Sequence, residues 1–156
     1  ATTEIYTLSL HDALPIWFKP SAYGLILLMK KGYPCIFYGD YYGVKGKKSP
    51  HRKVLDMLLR ARKEYAYGEE VDYFDHPNTI GFVRLGDPGH ADSGLAVVIS
   101  NGEDGEKTMS VGENRKGEVW HEITGSVKDT VTIDEEGKGC FLVKGGKLAV
   151  WGKVKA

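Results

Sequence analysis

Residues 79–102, TIGFVRLGDPGHADSGLAVVISNG, contain two short apolar runs separated by a turn signal. Residues 80–85 and 94–100 are rich in β-branched side chains, and the sequence GDPG at 86–89 lies between them. Short runs of this composition, bounded by Gly, Asp and Pro, are typical of β-strands joined by turns. The stretch therefore predicts two strands of an antiparallel sheet.

The same pattern continues to the C-terminus. Further candidate strands are residues 107–111, 119–123, 130–133, 139–143 and 148–152, with Gly-containing turns between them. Regular short strands of this kind indicate an antiparallel Greek-key β-sandwich. We assign it to residues 69–156 and expect that segment to be able to fold alone, because about seven strands supply their own apolar face.

The segment before Gly68 has a different periodicity. Residues 21–31 predict a buried helix, residues 33–38 (YPCIFY) a covered parallel strand, and residues 39–43 a loop. A second helix is predicted to begin with Ser49 as N-cap and Pro50 in its first turn, and to close near Gly68. One parallel strand has no neighbour to pair with, so the remaining strands of its sheet are expected to lie outside this sequence.

Composition excludes several classes of partner. Lys plus Arg number 21 and Asp plus Glu number 21, a balance that argues against a nucleic-acid partner. No apolar run reaches the roughly 18 residues of a membrane span, so no membrane partner is expected. Cys35 and Cys140 lie in apolar runs and are predicted to be buried free thiols.

Several strings resemble bacterial α-amylases of the family-13 glycoside hydrolases. They are WFKPSAYGLIL at 17–27, GYPCIFYGDYYG at 32–43, RARKEYAYG at 60–68, DYFDHPNTIGFVR at 72–84, SNGEDGEKT at 100–108 and VWHEITG at 119–125. The resemblance implies an α/β plus all-β chain: residues 17–68 are the C-terminal end of a (β/α)8 barrel, and residues 69–156 are the C-terminal β domain. The string HPN followed by SNGEDGEKT is most similar to cytoplasmic members.

The first sixteen residues, ATTEIYTLSLHDALPI, lie outside that resemblance. Read back into codons, they match a common sequencing adapter in frame with Trp17. We interpret residues 1–16 as an adapter-derived scar that is not native, so His11 and Asp12 carry no functional meaning. The alternative is a real amphipathic N-terminal arm.

The resemblance implies endo-hydrolysis of α-1,4-glucosidic bonds in starch, glycogen or maltodextrins, with retention. Retaining glycosidases need two carboxyl groups, and the family's catalytic carboxylates would all precede Trp17, so we predict that this piece is inactive. Candidate α-glucan contacts are Trp17, Asp40 and Tyr42. For Asp40 a loop-fixing or structural role is the alternative, and for both aromatics it is simple packing.

The resemblance also implies calcium in the longer protein, because secreted relatives bind it between barrel and C-terminal domain through Asp side chains. At the matching positions this chain carries Asn78 and Asn101. Calcium affinity rises with the number of charged carboxylate ligands. We therefore expect no calcium in this chain, with the parent's metal held by other segments.

Two other functions remain open for residues 69–156. One is a non-catalytic carbohydrate-binding module built on Trp120 and Trp151, which requires both rings to be exposed. The other is a purely structural β domain that supports the barrel. From the resemblance and the two free thiols we expect a cytoplasmic protein, with secretion as the alternative.

Overall fold

The computed structural model describes residues 14–153, so most of the proposed scar lies outside the described residues. A 3-10 turn at Ile16–Phe18 leads into three helices. They are α1 (Lys19–Leu28), α2 (Tyr38–Tyr42) and α3 (Arg52–Glu64). None of the helices in this part of the chain is long and apolar enough to cross a membrane.

Within the described residues, eight strands follow the helices and form two antiparallel sheets. Six of them form one sheet in the order β1-β2-β3-β8-β5-β6, while β4 and β7 pair separately. Their bounds are β1 (Glu70–Tyr73), β2 (Thr79–Arg84), β3 (Leu95–Ser100), β4 (Gly105–Ser110), β5 (Val119–Glu122), β6 (Thr130–Thr132), β7 (Lys138–Val143) and β8 (Leu148–Lys153). The chain leaves the large sheet at β4, returns at β5, and leaves again at β7 before β8 inserts beside β3. The predicted antiparallel sandwich is thereby confirmed.

The centre of the large sheet is buried on both faces. Every residue of β3 is buried, and so is nearly all of β8. Successive side chains of a strand point to opposite faces, and the two resulting sets enter two separate hydrophobic clusters. Strands buried on both faces read as continuous apolar runs, which is why residues 94–100 show so little alternation.

Helices α1 and α3 cover one face of the sheet. Their buried side chains, among them Leu27, Leu28, Leu55 and Leu58, form one cluster with side chains from β2, β3 and β8. Helix α1 lies very close to β8, because a Cβ at Gly24 would approach a Leu148 methyl carbon to 2.8 Å. The helical segment and the sheet therefore share a single core.

The β4–β7 pair covers the other face. Its inward side chains, Met109, Phe141 and Val143, pack with the large rings of Trp120 and Trp151. The Phe141 ring centroid lies 5.9 Å from that of each tryptophan. The molecule is thus a three-layer structure of helices, large sheet and small sheet.

A buried arginine connects the helical segment to the sheet. Arg84 on β2 donates from Nη1 to the Leu28 carbonyl at the end of α1 (3.0 Å) and from Nη2 to the Gly68 carbonyl beyond α3 (3.0 Å). Hydrogen bonds from charged groups contribute about 1.5–3 kcal/mol each, and their loss would leave buried carbonyls unsatisfied. Arg84 therefore fixes both helix exits to the sheet.

The predicted parallel strand at residues 33–38 is wrong. Residues 33–37 lie in no helix or strand, and Tyr33 is fully exposed. A parallel strand needs hydrogen-bonded neighbours, and no described residue pairs with this segment. The predicted loop at 39–43 is also wrong, since Tyr38–Tyr42 forms the short helix α2. The described part of residues 17–68 therefore contains no strand that would support its assignment to a barrel.

Other boundaries and burial predictions also need correction. Helix α1 begins two residues earlier and ends three earlier than predicted, and α3 begins at Arg52 rather than at Pro50. Both thiols are exposed, not buried. Cys35 lies in the unpaired segment, while Cys140 alternates with the buried Gly139 and Phe141 on β7 and so points outward.

The boundary at residues 68 and 69 stays a prediction. It falls between α3 and β1. The helices and the sheet share one hydrophobic cluster, so residues 69–156 alone would expose the apolar face that the helices cover.

Replacing Leu55 with Ala tests whether helices and sheet unfold together. The buried Leu55 side chain belongs to the shared cluster, so we expect a loss of about 2–5 kcal/mol in the free energy of unfolding. Urea unfolding should be followed by the fluorescence of Trp120 and Trp151, whose rings pack on the face of the large sheet that the helices do not cover. Leu59→Ala on the same helix, at a partly exposed position, should cost much less. An unshifted tryptophan transition in Leu55→Ala would show that the two segments fold independently.

Candidate functional site

Trp17 is an exposed aromatic residue fixed at the start of the helical segment. Its side chain is 53% exposed, and its ring meets that of Phe18 edge to face, with centroids 5.5 Å apart. The turn between β7 and β8 lies against it: a Cβ on Gly146 would be 3.7 Å from the ring, and Gly146 has φ +66°. Glycine at this position lets the turn fold tightly below the indole.

Trp17 lies in a cleft of about 490 Å³ between the helices and the loops of the large sheet. The helical side of the cleft is formed by Trp17, Pro20, Pro50, Lys53, Val54 and Met57. The sheet side is formed by Thr124, Gly125, Ser126, Gly146, Lys147 and Leu148. We call this cavity the Trp17 cleft.

Glu122 at the end of β5 organises the 124–127 loop that lines the cleft. One carboxylate oxygen accepts the backbone N–H groups of Thr124 (2.9 Å) and Val150 (3.0 Å), together with the Thr124 hydroxyl. The other accepts the N–H groups of Ser126 (2.7 Å) and Val127 (3.4 Å). A single carboxylate thus satisfies several donors and holds the hydroxyls of Thr124 and Ser126 at the cleft.

Asp40 lies away from the Trp17 cleft and is only 8% exposed. Its Oδ1 accepts from Lys19 Nζ at 2.9 Å and its Oδ2 accepts from the Tyr23 hydroxyl at 2.8 Å. Its backbone carbonyl also accepts the Ser49 hydroxyl. Both carboxylate oxygens are therefore engaged in holding α2 against α1, a geometry that favours the loop-fixing alternative.

The surroundings of Asp40 shift the pKa values of two neighbouring side chains. Burial, together with the hydrogen bond to Asp40, raises the pKa of Tyr23 to about 12. Burial lowers the pKa of His51, against the opposing effect of the Asp40 charge. Tyr23 is thus a neutral donor and His51 a neutral side chain at neutral pH, which suits a structural cluster.

Tyr42 is 58% exposed and lies outside the Trp17 cleft. Its ring centroid is 4.6 Å from that of Tyr38 and 4.8 Å from that of Tyr41. The Arg52 guanidinium lies 3.8 Å from the Tyr41 ring centroid, and the Tyr41 hydroxyl donates to Asp56 at 2.6 Å. Tyr42 therefore belongs to a separate aromatic surface, and the structure does not bring it together with Trp17.

Asn78 and Asn101 do come together, at one end of the β2–β3 pair. The Asn101 N–H donates to the Asn78 carbonyl at 3.1 Å, and both side chains are exposed. Within residues 14–153 no group of three or more His, Cys, Asp or Glu residues could hold a metal ion.

The two C-terminal tryptophans are fully buried. Trp120 and Trp151 have no exposed surface, and their indole N–H groups donate to Glu118 (2.9 Å) and to the Leu142 carbonyl (3.1 Å). A carbohydrate-binding face requires exposed rings, so a module built on these two residues is contradicted.

The Trp17 cleft has the composition of a sugar-binding site. An aromatic ring can stack on the apolar face of a pyranose, while hydroxyl and ammonium groups can bond its hydroxyls. Fold and cleft together define an antiparallel β domain joined to a helical segment, with an aromatic cleft between them.

Comparison with known proteins shows which sequences this chain is similar to. The chain is 49% identical to a glucan 1,4-alpha-maltohexaosidase of Bacillus sp. (strain 707), over 86% of this chain and 26% of that protein. It is 46% identical to an alpha-amylase of Bacillus licheniformis, over 92% of this chain and 29% of that protein. Over most of its length the chain is therefore homologous to bacterial α-amylases, which confirms the resemblance, and it spans between a quarter and a third of its relatives.

A cytoplasmic alpha-amylase of Escherichia coli (strain K12) is 38% identical over 90% of this chain and 32% of that protein. This identity is lower than those to the Bacillus proteins, so the comparisons give no preference for the cytoplasmic members.

Solved structures agree on the fold. An alternansucrase in complex with isomaltononaose matches 88% of this chain and 16% of its own, with a TM-score of 0.70 and 19% identity. An alpha-amylase from Malbranchea cinnamomea matches 88% of this chain and 33% of its own, with a TM-score of 0.66 and 13% identity. No family model matches the sequence.

Sequence reasoning found Trp17 but missed the rest of the cleft. Lys53, Thr124, Ser126 and Lys147 come from three separate stretches, and only the folded chain shows that they meet. Glu122 left a weak signal, since a carboxylate two residues before the Thr-Gly turn at 124–125 is well placed to accept its N–H groups.

Replacing Glu122 with Gln tests the origin of the cleft loop. An amide NH2 group would face backbone donors that the carboxylate now satisfies, so we expect a loss of about 1–3 kcal/mol in the free energy of unfolding. Amide hydrogen exchange at Ser126 and Val127 should accelerate in the same variant. Glu106→Gln, at an exposed position on β4, should change neither quantity. Unchanged exchange in Glu122→Gln would show that the carboxylate does not hold the loop.

Proposed function

We propose that this chain is part of an α-amylase that hydrolyses internal α-1,4-glucosidic bonds of starch, glycogen or maltodextrins with retention. The support is its homology to proteins named alpha-amylase and glucan 1,4-alpha-maltohexaosidase. Because the chain spans only about a quarter of these relatives, the activity belongs to a protein that also contains the remaining segments.

The residues of this chain act on the glucan without performing the chemistry. Retention requires a nucleophile and an acid/base about 5–5.5 Å apart, and the resemblance maps neither onto this sequence. Asp40, the carboxylate nearest to the predicted barrel rim, has both oxygens engaged by Lys19 and Tyr23. The chain alone should therefore release no reducing sugar from starch.

The role that we assign to this chain is glucan binding at the Trp17 cleft. The observation that carries it is a half-exposed indole seated over the Gly146 turn, with Thr124 and Ser126 on the opposite wall. A cleft between helices and sheet loops can accept a glucan chain along its length. The shared core of helices and sheet keeps its two walls at a fixed separation.

A purely structural role is the second candidate. It is favoured by the large sheet, which is buried on both faces and leaves no aromatic row exposed on β3 or β8. Under this alternative the sheet only supports the helices, and Trp17 is an ordinary surface residue.

Cytoplasmic location is part of the proposal, supported by the named cytoplasmic relative; secretion is the alternative. We propose an α-glucan as the partner, without nucleic acid or membrane.

Replacing Trp17 with Ala separates the two roles. If the indole stacks on glucose, the affinity for soluble starch should fall about twofold to tenfold, since aromatic contacts are worth about 0.5–1.5 kcal/mol beyond their area. Affinity electrophoresis in gels containing soluble starch gives the measurement, with a β-1,4-glucan gel as the specificity control. Tyr33→Ala removes a fully exposed ring outside the cleft and should bind as the unmodified chain does. Equal mobility with and without starch would favour the structural role, and hydrolysis by the chain alone would contradict its assignment as non-catalytic.

For calcium we propose that the longer protein binds the ion through other segments and that this chain binds none at submillimolar concentration. Asn78 and Asn101 offer dipoles where the resemblance implies charged ligands, and calcium affinity depends on ligand charge. Isothermal titration of this chain with calcium should show no saturable heat. A one-to-one heat that Asn101→Ala abolishes would contradict the proposal, and heat unchanged by that variant would place a site elsewhere in the chain.

A further inference from the structure

The Trp17 cleft carries a positive charge that a neutral glucan does not need. Lys53 forms part of one wall and Lys147 part of the other, and the lining contains no Asp or Glu. Both lysines are exposed, and within residues 14–153 neither ammonium lies in an ion pair with a carboxylate. Two cations thus face one cavity without a counter-charge in its walls.

The cationic residues next to these two lysines do form ion pairs. Arg52, next to Lys53, pairs with Asp56 at 3.1 Å, and Lys144, on the same turn as Lys147, pairs with Asp104 at 2.7 Å. Asp104 also accepts the Gly145 N–H at 2.8 Å, so the acidic group of that turn is already engaged. Asp104 also lies within electrostatic range of Lys147, whereas Lys53 has no ion-pair partner within residues 14–153.

The first turn of α3 adds to the positive potential of the two lysines. It contains no acidic residue, although the positive end of a helix dipole usually attracts one. Pro50 and Lys53, which flank this helix start, are themselves part of the cleft wall.

The other residues that line the cleft suit the sugar rings of an anionic carbohydrate. Trp17 offers a ring face for a glucose unit. The Thr124 and Ser126 hydroxyls donate to Glu122 and to the Leu148 carbonyl, so their oxygens can accept from sugar hydroxyls. A phosphate monoester carries a charge of about −1.5 to −2 at neutral pH and three acceptor oxygens. Lysine ammonium groups bind phosphate as point charges, without the fixed geometry that arginine imposes.

On the basis of the glucan-binding role proposed above, we propose that the Trp17 cleft selects α-glucans that carry phosphate monoesters. The glucose ring stacks on Trp17, and the ester phosphate lies between Lys53 and Lys147. This assigns to the cleft a preference among α-glucans, which the family resemblance does not supply.

Binding of three probes measures this preference: maltoheptaose, maltoheptaose bearing one 6-phosphate ester, and inorganic phosphate. The phosphorylated probe should bind about tenfold tighter than the neutral one, since two exposed charge pairs add a modest attraction that the neutral glucan lacks. The advantage should shrink as salt is added, because salt screens exposed charges. Inorganic phosphate should bind far more weakly than the phosphorylated glucan, because it lacks the ring that contacts Trp17.

The double variant Lys53→Gln/Lys147→Gln should bind the two glucans equally, because the charge that distinguishes them is removed. The matched control, Lys45→Gln/Lys48→Gln, removes the same charge from two exposed lysines outside the cleft lining and should keep the preference.

The possible failures are distinguishable. Neutral binding that needs Trp17 but shows no phosphate advantage would overturn this inference and leave the glucan-binding role intact. Loss of all glucan binding would overturn both. Inorganic phosphate binding as tightly as the phosphorylated glucan, or displacement of that glucan by polyglutamate or by an oligonucleotide at equal charge, would overturn the assignment to a sugar phosphate.

Discussion

The burial of β3 and β8 on both faces is the constraint on which the rest of the structure depends. Each of these strands alternates its side chains between two hydrophobic clusters, so neither face can remain in water without a large loss of apolar burial. Helices α1 and α3 cover one face and the β4–β7 pair covers the other. The three layers, and the position of every loop at the sheet ends, follow from this requirement.

The Trp17 cleft is a consequence of the same packing. Because α1 lies so close to β8 at Gly24, the start of the helical segment is carried against the turn that precedes β8. Trp17 is thereby placed over Gly146, and α3 brings Lys53 and Met57 to the same cavity. Glu122 completes the opposite wall by accepting hydrogen bonds from the 124–127 loop. The site is therefore built by packing between segments that the sequence alone assigns to separate domains.

The sequence predicts most strands correctly, but not the edge strand β1, the unpaired segment 33–37 or the residues that face Trp17. All seven predicted strands exist, with boundaries within two residues, because local β-branched runs and turn residues specify them. The edge strand β1 was missed because Glu70–Tyr73 is charged and half exposed. Residues 33–38 have a strand-like composition, but a strand also needs a partner, which no local pattern supplies. In the same way, Trp17 was recognisable as an aromatic candidate, whereas the lysines and hydroxyls facing it became visible only through tertiary contact.

The most direct test of the account is to map the glucan contact on the folded chain. Titration of isotopically labelled protein with maltoheptaose, followed by amide and indole NMR signals, locates the contact without requiring catalysis. We expect saturable shifts of the Trp17 indole and of amides in residues 124–126 and 146–147, with the buried Trp120 and Trp151 indoles unmoved. Shifts confined to the Tyr38–Tyr42 surface, or no shifts in a chain shown to be folded, would contradict it.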